Sequence, residues 1–222
     1  MILYGIPILS IILLLIAQFR VKSAFRKYSE MQNSAGLTGA EAARQMLLDN
    51  GITDVQIEQI AGSLTDHYDP TANVIRLSED VYNKTTVAAV GVAMHEAGHA
   101  LQYAQAYKPI VVRNAIVKST NISSWASYLL VLIGCVASAP KLITLGIVFF
   151  CAVIAFQLIT LPVEFNASGR ALRTLSGGGF LTVEEQKGVR KVLSAAAMTY
   201  VVALVNSLLH LIRLLAIRNR RR

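Results

Sequence analysis

His95, Glu96 and His99 lie in the run Met94-His95-Glu96-Ala97-Gly98-His99-Ala100, an H-E-x-x-H spacing. Residues four apart on an α-helix share a face, so the two imidazoles can bind one Zn²⁺. Glu96 follows the first histidine directly and can reach a water on such an ion without joining the ligands, which is the place of a general base. The chemistry this spacing specifies is metal-assisted hydrolysis. Its surroundings suit a helix from about Thr86 to Tyr107, with no proline and no charged residue except Glu96. An ionised carboxylate in such apolar company is costly unless it has a metal or a proton to handle. The plainer reading, two satisfied core histidines beside a glutamate, is weakened because half of the chain's 4 histidines fall in this one motif.

A catalytic zinc needs a third protein ligand and an open position for water. The extended motif that supplies a third histidine nearby would need Gly at 102 and His at 105, where this chain has Gln102 and Gln105. No Asp, Glu or His occurs between Ala100 and Val163. The candidates are then His67 upstream and Glu164, Glu184, Glu185 and His210 downstream. Glu184 and Glu185 read as a solvated helix start. Glu164 follows directly on an apolar stretch, and a helical hairpin that leaves and re-enters one membrane face would return it beside the 95–99 helix. That argument favours Glu164 over His67, with one zinc per chain.

The elements that must position these residues are largely membrane helices. The 222 residues are 54% hydrophobic and 15% charged, with mean hydropathy +0.51, against roughly 25% charged in a soluble domain. This excludes an ordinary cytosolic protein and a disordered one. Spanning helices need about 20 predominantly apolar residues. Ile2–Phe19, Ile122–Ala139 and Leu142–Leu161 meet that need, and Val192–Ile212 does so less cleanly, interrupted by Thr199, Asn206, Ser207 and His210. The first stretch carries its basic residues after the apolar run, as Arg20, Lys22, Arg26 and Lys27, the reverse of a cleavable signal peptide. It is expected to be a permanent anchor. Pro140-Lys141 makes the next two an antiparallel hairpin. The expected organisation is an anchor over 1–19, an α+β catalytic unit over 20–118, the hairpin over 119–163, a cytoplasmic segment with the third ligand over 164–191, and a transmembrane or interfacial helix with a basic tail over 192–222.

Positive charge sets orientation. With four spans and the N-terminus outside, fifteen basic residues face the cytoplasm and six face outward. The hydrophilic unit is therefore expected at the cytoplasmic face. Were 86–107 itself a span, the division would fall to thirteen against eight. The net charge of +8 is explained by topology and membrane anchoring, with five basic residues in the last ten positions, and no aromatic-interleaved stripe suggests nucleic acid. Cys135 and Cys151 sit in apolar runs and form no C-x-x-C pair, so neither a disulfide framework nor a sulfur-ligated metal site is indicated.

Within the hydrophilic unit, Thr38-Gly39-Ala40-Glu41 fits a capping box. It is followed by Ala42, Ala43, Met46 and Leu47 at helical spacing, and Gly51 ends that helix. Val55, Ile57 and the stretch towards Leu64 read as a strand, and Val74 to Leu77 as a second. The Asp69–Asn73 turn lies between them, so the pair is expected to form a β-hairpin. The second strand is expected where zinc peptidases keep the edge strand that pairs with an extended substrate. Ser176-Gly177-Gly178-Gly179 is a flexible turn without the Lys-Ser/Thr of a phosphate loop.

The anchor, Asp66-His67-Tyr68-Asp69-Pro70, Leu77-Ser78, His95-Glu96-Ala97-Gly98-His99-Ala100 and Leu161-Pro162-Val163-Glu164-Phe165 together resemble the YugP-type family of bacterial membrane zinc metallopeptidases. The order of anchor, H-E-x-x-H, hairpin and glutamate is more distantly similar to the HtpX and CAAX-processing membrane proteases. The resemblance implies His95, His99 and Glu164 as zinc ligands, Glu96 as catalytic base and a multi-pass place in the bacterial cell membrane. Those proteases usually carry an Asp four residues after the third ligand. This chain has Ser168 there, so Asn166 or Ser168 is the candidate for a neutral partner of a ligand histidine.

Other candidates are weighed against plainer roles. His67 is a candidate oxyanion stabiliser or a surface turn residue. Arg170 either neutralises a carboxylate or is a topology charge. Tyr103 reads as packed, and Asn206, His210 and Arg213 share a helix face suited to helix-to-helix hydrogen bonds. The expectation is an α-helical integral membrane protein of three to four transmembrane helices. It bears a small α+β zincin-like metallopeptidase unit that acts on peptide or membrane-protein substrates at the bilayer. The alternatives are intramembrane, site-2-like cleavage and a non-catalytic scaffold or chaperone stabilised by zinc.

Overall fold

The computed structural model describes residues 2–179 and 181–220. Arg221 and Arg222 of the basic tail, and Met1 of the anchor, lie outside the described residues. The elements run α1 (Ile2–Ser29), α2 (Gly39–Asp49), β1 (Gln56–Ile60), β2 (His67–Asp69), β3 (Val74–Ser78), α3 (Val87–Ala104), α4 (Lys108–Val136), α5 (Pro140–Gly178) and α6 (Val183–Asn219). The molecule is mostly helical with one small sheet. Four helices, α1, α4, α5 and α6, are long and apolar enough to cross a membrane, and α3 is not among them.

The helices exceed the apolar runs. α5 continues without a break through Pro162 to Gly178, so Glu164 sits inside a helix where the sequence reading placed it after one. Pro162 is tolerated because neighbouring groups can satisfy the carbonyl a proline leaves without its donor. The Ser176-Gly177-Gly178-Gly179 turn is correspondingly shorter than expected, with only Gly179 in the left-handed region at φ +66°.

The chain divides into two compact units, one of 1–18, 109–162 and 198–222, the other of 19–108 and 163–197. Residues 20–108 and 164–191, expected in separate segments, thus contribute to one unit, and 109–118 goes with the other. Its core joins Met46 and Leu47 of α2, Ile75 and Leu77 of β3, Val87, Val90 and Met94 of α3, Leu175 of α5 and Val189 and Leu193 of α6. α2 begins at the expected capping box, Thr38 Oγ1 accepting from the Glu41 amide at 3.2 Å and Glu41 Oε2 from the Thr38 amide at 2.8 Å.

The sheet differs from expectation. Its order is β1-β3-β2, with β1 parallel to β3 and β2 antiparallel to it. The hairpin is β2–β3, not β1–β3, and β3 is the central strand, not an edge. The reason is local. Asp69 Oδ1 accepts from the Thr71 and Ala72 amides at 2.9 and 3.3 Å, and Asn73 adopts φ +53°, which folds the chain back directly after β2. A three-residue strand is too short to register as alternation. Glu185 is a second correction. It is 5% exposed and accepts from the Thr182 and Ser34 amides at 2.7 Å each, capping α6 and tying in the segment after α1. Only Glu184 is the solvated residue expected of both.

In the other unit, Ile143, Ile147 and Leu214 form a small buried cluster with Val131 and Phe150 around it. Gly146 allows close approach there: a Cβ on it would lie 2.7 Å from Val131 Cγ2 and 3.0 Å from the Ser127 carbonyl oxygen.

Candidate metal centre

α3 is capped by Thr86, whose hydroxyl accepts from the Ala89 amide at 3.2 Å. Its Ala-rich sequence then sinks almost wholly into the core, with Ala93, Ala97 and Ala100 buried. Small side chains let α5 approach closely at its C-terminal half and α6 at Gly91. Gly98 is the tightest point, for a Cβ there would lie 2.6 Å from the Ala167 carbonyl oxygen. This approach sets Glu164 of α5 opposite the histidine face of α3.

The result is a triad of donors. One ligand atom each of His95, His99 and Glu164 lies within 4.8 Å of the others. Glu164 Oε2 is 3.4 Å from His95 Nε2 and 3.7 Å from His99 Nε2. These separations are long for hydrogen bonds. They match instead the edges of a tetrahedron: donors about 2.0–2.1 Å from a shared zinc stand roughly 3.4 Å apart. The two rings are edge to face, with centroids 4.8 Å apart and planes at 83°. Glu164 is 2% exposed and His99 8%. The residues therefore fit the zinc that the motif implies, and their number leaves room for a further ligand.

The outer nitrogens are engaged by neutral groups. Ser168 Oγ lies 3.1 Å from His95 Nδ1, and Gln102 Oε1 lies 3.0 Å from His99 Nδ1. Gln102 is fully buried and donates through Nε2 to the Val163 carbonyl at 2.8 Å and to Asn166 Oδ1 at 3.0 Å. Both histidines thus turn Nε2 toward Glu164. Burial pushes the His99 imidazole down, but the Glu164 carboxylate facing its Nε2 and the charge of Glu96 outweigh it and leave it above the ordinary value. Glu96 itself is buried.

The remaining candidates separate clearly. Asn166 and Ser168 lie in the shell around the histidines. Arg170 does not pair with Glu164. Its Nε donates to Asn166 Oδ1 at 2.7 Å, its Nη1 reaches Gln105, and it lies 5.9 Å from the Tyr107 ring centroid. His67 is exposed on β2, its Nδ1 2.9 Å from the Thr65 carbonyl oxygen, outside the donor triad. Tyr103 packs as expected, 5.4 Å from Tyr68.

One partner of this centre, Gln102, and one buried acid of the same unit, Asp66, have hydrogen-bond roles that no local signal in the sequence marks. Gln102 stands in the sequence where the extended zinc motif would have glycine, and nothing local marks it as a partner of His99. Asp66 enters the sequence reading within the Asp66–Pro70 run that carries the resemblance, with no role attached, and its carboxylate accepts from the Ser78 amide at 2.8 Å and from the Ser78 hydroxyl at 3.1 Å. Burial pushes Asp66 above its ordinary value against those bonds, and the charge of Glu96 adds to the rise.

The two histidines and the glutamate, carried on two packed helices, form a group that could hold a metal ion, and the family comparison fits that chemistry. Residues 2–219 match the family described as "Putative neutral zinc metallopeptidase", and the chain belongs to it. The chain is also 51% identical over 201 residues to the protein named "Putative membrane protease YugP" of Bacillus subtilis (strain 168), covering 90% of this chain and 89% of that one. No solved structure matches the chain.

Proposed function

We propose that this protein is a membrane-bound zinc metalloendopeptidase in which His95, His99 and Glu164 hold one zinc ion and Glu96 is the general base. The observation that carries the reading is the donor triad, with its 3.4 and 3.7 Å separations and both Nδ1 atoms already engaged. Zinc bound there would supply a water acidified toward pKa 7 and a Lewis acid for the scissile carbonyl.

The chain's own residues do the rest. Glu96, one residue from a ligand and buried, takes the proton of the attacking water and passes it to the leaving amine. Gln102 Oε1, accepting from Nδ1, holds His99 in one tautomer, and Ser168 orients the His95 ring. β2 is an edge strand packed on α3, and its outer edge offers backbone groups to an extended peptide. Such pairing is weakly sequence-selective, so access at the bilayer selects peptide and membrane-protein substrates. His67 projects from that edge as a candidate oxyanion or substrate contact, and Arg170 buttresses Asn166.

The charge division favours the cytoplasmic face of a bacterial cell membrane for this unit. Surface action is favoured over intramembrane cleavage because the apolar face of α3 is spent on the protein core. A structural zinc in a scaffold usually takes four protein ligands. Among the described residues the group holds three.

The deciding experiment compares metal content and proteolysis of the wild type, Glu96→Gln and Glu164→Ala in the purified full-length protein. Zinc kept and peptide hydrolysis lost in Glu96→Gln, with zinc lost in Glu164→Ala, is the expected result. Full hydrolysis by Glu96→Gln would remove the assigned base. Full zinc occupancy in Glu164→Ala would remove the assigned triad.

A further inference from the structure

The unit formed by 1–18, 109–162 and 198–222 contains no Asp or Glu at all. All 13 carboxylates of the chain lie in the other unit, and the formal net charge of +8 equals the Lys and Arg held by this one. Seven of those eight cations stand in the flanking or turn segments, where charge serves topology. Arg213 does not. It follows the apolar run of α6 directly, and its Nε is buried with no hydrogen-bond partner among the described residues.

Arg213 borders a groove of about 380 Å³ between α4 and α6, with Phe150 of α5 at its wall. Its lining is apolar at Val131, Leu132, Leu214 and Ile217, and polar at Ser124, Ser127, Tyr128 and His210. Of the other polar residues on this face of α6, Asn206 engages its amide nitrogen and leaves its Oδ1 without a partner among the described residues. Asn206 donates to the Ser10 carbonyl at 3.3 Å, and His210 stacks edge-on against Phe150 at 5.0 Å. Tyr128 and Leu132 are exposed, so the groove opens on the helix surface.

A guanidinium partly withdrawn from water beside an apolar channel calls for a counter-charge, and this unit has no Asp or Glu to supply one. The planar fork of arginine matches phosphate oxygens, with hydroxyls beside it as further donors. We infer that the α4–α6 groove is a binding site for an anionic phospholipid, the phosphate meeting Arg213 and the acyl chains lying along Val131, Leu132, Leu214 and Ile217. The occupant is a lipid and not a free anion because the lining pairs one cation with an apolar channel that opens where acyl chains are.

The chain's single tryptophan gives the readout. Trp125 is exposed on α4 one turn before Tyr128, within reach of bromine atoms on acyl chains in the groove. The full-length protein is reconstituted in mixtures of brominated phosphatidylglycerol and plain phosphatidylcholine, and in the reverse labelling. Phosphatidylglycerol is expected to quench preferentially, with a relative affinity about fivefold above phosphatidylcholine. Arg213→Gln should abolish the preference, Arg213→Lys should keep part of it, and Lys141→Gln should leave it unchanged. Val131→Phe, which fills the groove with the arginine intact, should also abolish it, a check that does not depend on the fold tolerating a lost arginine. Equal quenching by both lipids, an unchanged preference in both Arg213→Gln and Val131→Phe, or displacement by millimolar inorganic phosphate would overturn the assignment.

Discussion

A Cβ built on Gly98 would fall 2.6 Å from the Ala167 carbonyl oxygen and 3.2 Å from the Ala167 Cα. The obstruction is backbone, so it cannot be relieved by a side-chain rotation. Gly98 therefore sets the spacing between the helix that carries both histidines and the helix that carries Glu164. Gly98→Ala must push the two apart, at a cost of about 1–3 kcal/mol from overpacking, and must lengthen the distance from Glu164 to both rings. Thermal unfolding and zinc titration together check this, and the expected result is a lower Tm with weakened zinc binding.

Removal of the carboxylate at 96 should separate chemistry from binding. Glu96→Gln keeps the side chain's size and loses its basicity, so zinc content should stay at the wild-type level. Peptide hydrolysis should fall by about 10²–10⁴-fold, the range for loss of a positioned general base. Paired metal analysis and peptidase assay on one preparation measure both quantities.

Gln102 should matter to the metal more than its neutrality suggests. Gln102→Leu leaves His99 Nδ1 and the Val163 carbonyl without their partners. Loss of a group that orients a ligand histidine costs about 10–100-fold in metal affinity. The Ser168→Ala change at His95 should act in the same direction. Competition with a chromophoric chelator gives the affinities, and Gln102→Glu should recover binding because it restores an acceptor for His99.

Acid should release the metal from a point above the ordinary histidine value. The metal-free protein holds His99 raised, through Glu164 and Glu96. A raised imidazole stabilises the metal-free fold fully below its unfolded value of about 6.5, and that contribution is lost as pH climbs through the folded value. Zinc requires the neutral ring, so its affinity runs the opposite way and falls as pH drops through the same folded value. Calorimetric zinc titrations in two buffers of different ionisation enthalpy should record proton release near neutral pH, increasing as the medium is acidified.

The centre and the membrane helices were legible to different depths. The histidine pair and Glu96 follow from spacing alone, because a helix repeats its face every four residues and nothing remote can alter that. The four apolar helices follow from hydropathy, since a bilayer demands length and composition before any packing. Glu164 was reachable through the hairpin argument, although α5 proved to run on through it as one helix. The rest depended on pairing between distant segments. A three-residue β2 carries no periodic signal, and only its turn and its ladder to β3 make β3 central and β2 the edge. Glu185 reads as a surface acid until the Ser34 amide closes over it. Gln102 reads as an undistinguished helix residue until α5 brings Val163 and Asn166 against it. Local sequence determines which groups share a helix face, while hydrogen-bond partners and burial belong to surfaces that meet only when the chain has folded.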